Sequence, residues 1–97
     1  MNHTPAPSPT LTTLGDIAFA DWGEHPHPLF RVNADVPAAD ALAHASALLH
    51  LAKQFSLEAA LEPQVDRYAW AAHYLGEMAR AAMDDVHAAL AAASERR

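Results

Sequence analysis

The chain has 97 residues, a formal charge of −6 and no cysteine, and 24 of its residues are alanine. This length holds one small domain, and the absence of cysteine excludes a disulfide scaffold, a thiolate metal site, a cysteine nucleophile and an iron–sulfur cluster. The acidic balance opposes an electrostatic grip on nucleic acid, and a hydrophobic fraction of 52% that is nearly half alanine predicts a thin, closely approached helical core.

Residues 1–13 (MNHTPAPSPTLTT) carry three prolines, small polar residues and no periodicity. They are expected to form a disordered arm ahead of a single domain over 14–97. Met1–Thr10 lacks the basic start and apolar stretch of a signal peptide, and no apolar run approaches the ~18 residues of a membrane span. A cytoplasmic protein is expected.

Between Leu14 and Asp35 the chain changes character. Ile17 and Phe19 alternate with small residues, and Leu29–Val32 alternates again. The intervening Asp21–Pro28 (DWGEHPHP) holds turn-forming Gly23, Pro26 and Pro28. One or two short strands are predicted here, with an extended segment laid over the helices as the alternative.

From Asp35 onward the apolar spacing becomes helical. Asp35 suits a cap, Val36 and Pro37 a first turn, and Asp40 the positive end of the helix dipole. Leu42, Ala45, Leu49, Ala52, Ser56 and Ala59 form a stripe, widened by Ala41, Leu48 and Phe55, which predicts an amphipathic helix over about Val36–Leu61. Pro63 disfavours helical geometry at Glu62 and fits the first turn of a second helix. That helix is predicted to run from about Pro63 to Ala92, with fraying over Ser94–Arg97. Its inner stripe is Tyr68, Ala72, Leu75, Ala79, Ala82, Val86, Ala89 and Ala93. Asp66, Arg67, His73, Glu77, Arg80, Asp84 and His87 form its polar side, where Arg80 is spaced to pair with Glu77 and Asp84.

So short a break between two helices predicts an antiparallel hairpin. The mainly α fold is then a two-helix hairpin preceded by one or two short strands. Gly76 lies mid-helix, where it costs about 1 kcal/mol relative to alanine, and close approach across the seam is the expected compensation. Leu48, Leu51, Phe55, Leu57, Trp70, Tyr74, Met78 and Met83 cannot all fit one two-helix seam. A lone hairpin would expose them as an apolar patch. All but Leu57 are the candidate dimer or partner interface; either the Leu14–Val32 segment covers the patch or a second copy does, with closure expected as a homodimeric four-helix bundle.

The stretch Pro28–Val86 resembles a family of short, uncharacterised bacterial proteins defined by a domain of unknown function. Three blocks carry the resemblance: Pro28-Leu29-Phe30-Arg31-Val32; Asp40-Ala41-Leu42-Ala43-His44-Ala45-Ser46 with Leu48-Leu49; and Trp70-Ala71-Ala72-His73-Tyr74-Leu75-Gly76-Glu77-Met78-Ala79 with Asp84-Asp85. The resemblance spans about three-fifths of the chain, leaves out the first 27 residues, and implies a strand–helix–helix layout without an activity.

Candidate chemistry is sparse. Asp21, Glu24, His25 and His27 are metal-ligating residue types in a turn, but no second spaced ligand pair completes a site. His73 with Glu77, and Asp84 with His87, share helix faces on the polar side. His44 and His50 are nearly opposite on their helix. Ser8, Ser46, Ser56 and Ser94 lack a nucleophile elbow, and Gly15, Gly23 and Gly76 form no phosphate-cradling loop. No catalytic residue, metal or cofactor is assigned. The leading expectation is a non-enzymatic protein acting through self-association and regulatory or adaptor binding to a protein partner, with no membrane and no direct nucleic-acid contact. A small acidic inhibitor, such as a phage-encoded, anti-CRISPR-like blocker of a bacterial defence complex, is the alternative, using Asp66, Glu77, Asp84 and Asp85. A histidine-based metal binder is the third.

Overall fold

The computed structural model describes residues 11–19 and 30–95. In chain order the elements are strand β1 (Ala18–Phe19), strand β2 (Phe30–Arg31), helix α1 (Ala38–Leu61) and helix α2 (Asp66–Glu95). The two helices pack against each other as an antiparallel hairpin, as their apolar spacing predicts, and the strands pair antiparallel with Ala18 opposite Arg31 and Phe19 opposite Phe30. The rings of Phe19 and Phe30 stack at 5.5 Å across that pair. The expected turn Asp21–Pro28 lies outside the described residues.

Helix α1 starts two residues later than its sequence suggests. Asp35 does not cap it; it adopts a left-handed backbone (φ 66°), and Pro37 stands at the cap position without a side-chain hydrogen bond. The start of the helix is instead satisfied from a distance: the Ala38 N–H donates to the Leu11 carbonyl at 2.7 Å, beside an isolated bridge between Thr12 and Pro37. Leu11–Thr13, expected in the arm, therefore belong to the fold. At the far end, the Glu62 N–H donates to the Glu58 carbonyl at 2.8 Å. Pro63 and Gln64 then form the turn, so α2 begins at Asp66 rather than Pro63. The alanine run Ala91–Ala93 carries α2 on to Glu95, because alanine is the strongest helix former.

The core is thin, as the composition predicts, but its composition is extreme. Among the described residues the buried apolar side chains are Ala41, Ala45, Ala52, Ala79, Ala81, Val86 and Ala89. Valine is the largest of them. Leu42 and Leu49, expected in the inner stripe of α1, are exposed instead. The buried face of α1 is rotated toward Ala41, Ala45 and Ala52, flanked by half-buried Leu48, Phe55 and Ala59. Seams of alanine let helix axes approach toward the short end of the usual ~8–10 Å range, where leucine has little room. On α2, Ala79, Val86 and Ala89 are buried as expected, whereas Ala93 is exposed.

Candidate functional site

Residues 11–17 lie as a strap against α2 and the start of α1, and two side chains hold them there. The first is Asp85, fully buried in the middle of α2. Its carboxylate accepts hydrogen bonds from four consecutive backbone N–H groups: Leu14 on Oδ1, and Gly15, Asp16 and Ile17 on Oδ2, the last three at 3.0, 3.1 and 3.3 Å. Successive N–H groups turned inward make an anion-binding concavity, and a charged acceptor makes each bond stronger than a neutral one. That arrangement lets a carboxylate sit where burial otherwise costs several kcal/mol. Gly15 makes the concavity possible. Its φ of 81° is left-handed, and a Cβ there would come within 2.8 Å of the Ala34 Cβ.

The second is Thr13, also buried. Its hydroxyl donates to the Asn33 carbonyl and accepts from the Val36 N–H at 3.1 Å. Its backbone N–H donates to the Val36 carbonyl, and its carbonyl accepts from the Asp35 N–H, both at 2.9 Å. Thr13 thus clasps the loop entering α1 while Asp85 clasps the strap to α2.

Both residues escape a reading by stripe. Asp85 is not a solvent-facing acid available to a basic groove, which removes one of the four carboxylates assigned to that role. The signal for it lies in spacing: Met78, Ala81, Asp85 and Ala89 recur every three or four residues, a second inward line on α2 that an acid interrupts. Its covering is the strap, hence a contact seventy residues away.

The candidate interface residues divide between exposure classes. Leu48, Phe55, Tyr74 and Met78 are half-buried; Leu51, Trp70 and Met83 are exposed. Trp70 and Tyr74 stack at 6.1 Å, with His73 edge-on to both at 6.0 and 5.5 Å. Phe55 meets Tyr68 across the hairpin at 6.2 Å, and Arg67 sits over the Tyr68 ring at 5.4 Å. Leu51 and Phe55 also line an open groove of about 480 Å³ with Gln54, Leu57 and Glu58. Leu57, also expected to be surplus to the seam, is exposed, and beyond these Phe30, Leu42, Leu49, Leu61 and Leu90 are further exposed large apolar side chains.

On the polar side Arg80 pairs with Asp84 at 3.6 Å, both side chains largely in solvent. Among the described residues no three His, Asp or Glu side chains gather to hold a metal ion. The His25 and His27 cluster lies outside the described residues. No helix among them is long and apolar enough to cross a membrane.

The fold and its clamp define a class: a small alanine-seamed helical hairpin, strapped by an N-terminal segment that a buried aspartate holds. The sequence profile of the DUF3077 family, proteins of unknown function, matches residues 13–89, and the chain belongs to that family. The match begins at Thr13 and ends at Ala89, the first and last buried residues among those described, so it takes in the strap that the sequence resemblance left outside. No curated protein and no solved structure matches the chain.

Proposed function

We propose that this chain is a non-enzymatic interaction protein of the cytoplasm, acting through self-association and through binding of a regulatory or adaptor protein partner. One observation carries the reading. The usual assignment of residue size to depth is inverted: among the described residues the buried apolar set is alanine and one valine, while nine large apolar side chains are exposed. Scattered exposed leucines are ordinary, but this many on a hairpin of two helices amounts to an apolar surface larger than soluble monomers carry. Helix α1 has apolar residues all round its circumference, a pattern that calls for cover on more than one side. A second hairpin supplies that cover as a four-helix bundle. The stacked Trp70 and Tyr74 add the side-chain types that dominate protein interfaces.

Sedimentation of the full chain over micromolar concentrations tests the reading. A concentration-dependent dimer is expected. A monomer at every concentration up to about 100 μM overturns the self-association.

A further inference from the structure

We infer that the self-associating surface is the flank of the hairpin opposite the strap, formed by Leu42 and Leu49 of α1 with Gly76, Met83 and Leu90 of α2, and that its occupant is a second copy of this chain. The inference rests on the proposed self-association and adds the surface through which it happens.

The residues fall on two lines. Leu42, Leu49 and Ser56 recur every seven residues on α1, as do Gly76, Met83 and Leu90 on α2, the spacing that keeps one seam facing a neighbouring helix along its length. Leu42, Leu49, Met83 and Leu90 are all exposed. Met83 and Asp85 are two residues apart and so point to nearly opposite sides of α2. Because Asp85 holds the strap, the Met83 line lies on the flank away from it, which no other described segment covers. With two right-handed helices packed antiparallel on their buried faces, the Leu42 line lies on that same flank. Counting outward from the Phe55–Tyr68 contact brings Leu49 level with Gly76, and Leu42 with Met83, to within a turn.

Gly76 is the second observation. The expectation that it permits close approach within the seam is not met: a Cβ built there has no atom within 4 Å. Nothing in the described chain needs a glycine at this position, yet a glycine inside a helix is unfavourable. A hole at Gly76 beside a projecting Leu49 is self-complementary, as a twofold interface requires. The size also fits. Two helices side by side, about 36 Å by 20 Å, present a face on the order of 700 Å², close to the ~800 Å² per partner of a standard stable interface.

Charge is least opposed to a like partner on this face. The chain is acidic, so copies meet most easily where carboxylates are absent. Asp40 and Glu58 lie on the far side of α1 from Leu42 and Leu49, while on α2 Asp66 and Asp84 stand about a quarter turn round from Met83. The charged residues nearest the two lines are Lys53 and Arg80, and Arg80 is paired with Asp84 at 3.6 Å, which offsets that carboxylate at the edge of the face.

Sedimentation velocity on the full chain, with helicity followed by circular dichroism, tests the surface using Leu49→Lys, Gly76→Leu and, as a control off the face, Leu61→Lys. The face variants are expected to keep native helicity and to weaken the dimer at least tenfold, with the control within twofold of the parent. Gly76→Leu adds apolar area, so its loss of affinity reports a filled hole rather than lost hydrophobicity. A dimer unchanged by both face variants overturns this surface and leaves the proposed self-association standing. A parent chain that is monomeric throughout overturns both.

Discussion

Asp85 and Gly15 are seventy residues apart in sequence and joined by a 3.0 Å hydrogen bond from the Gly15 N–H to the buried Asp85 carboxylate. That bond, with its three neighbours from Leu14, Asp16 and Ile17, ties an extended strap to the middle of a helix. It supplies polar cohesion in a molecule whose buried apolar groups are nearly all methyls.

Removing the carboxylate should therefore cost more than any apolar truncation here. Asp85→Ala leaves four strap N–H groups without their acceptor, and a loss of about 3–5 kcal/mol is expected in urea unfolding. Asp85→Asn keeps one acceptor oxygen but turns an amide donor toward other donors, so an intermediate loss is expected. An Asp85→Asn variant as stable as the parent would show that the charge contributes nothing to the clamp.

Gly15→Ala combines two costs, the left-handed backbone and the approach to Ala34. About 1–3 kcal/mol of destabilisation is expected. Adding Ala34→Gly relieves the steric share but not the conformational one, so a double-mutant cycle should show partial recovery. Additive losses would place the whole cost in the backbone.

Thr13→Val preserves the shape of the buried side chain while removing both hydroxyl bonds, to Asn33 and from Val36. A loss of about 1–3 kcal/mol is expected, with Thr13→Ser retaining most of the stability. Hydrogen exchange at the Val36 N–H should quicken in the valine variant more than exchange in the centre of α2.

The seam leaves no room for growth. Ala79 is fully buried between the helices, and Ala79→Leu should destabilise by about 1–3 kcal/mol or more through overpacking. Leu61 is 68% exposed near the end of α1, and Leu61→Ala should change stability by less than about 0.5 kcal/mol. Thermal unfolding of the two variants should thus reverse the usual order, in which losing a leucine harms more than gaining one.

The Arg80–Asp84 pair is a decoration by comparison. Its 3.6 Å separation and solvent-exposed side chains predict a change within about 0.5 kcal/mol on Arg80→Ala, diminishing further with added salt.

Local spacing in the chain sufficed for the two helices, the break at Pro63, the antiparallel return and the alanine seam, because each follows from helical periodicity and the short reach of a turn. Which flank of each helix is buried depended on what else packs there. Leu42 and Leu49 fit the inner stripe by spacing alone, but the alanine seam buries Ala41, Ala45 and Ala52 and leaves the two leucines exposed on the flank away from the strap. Asp85 looked like one more surface acid until four backbone donors from residues 14–17 were found around it. Gly76 looked like a seam residue and faces open space. Periodicity is a property of neighbouring residues, whereas the depth of a side chain is settled by whatever segment covers it, and here that segment comes from the far end of the chain.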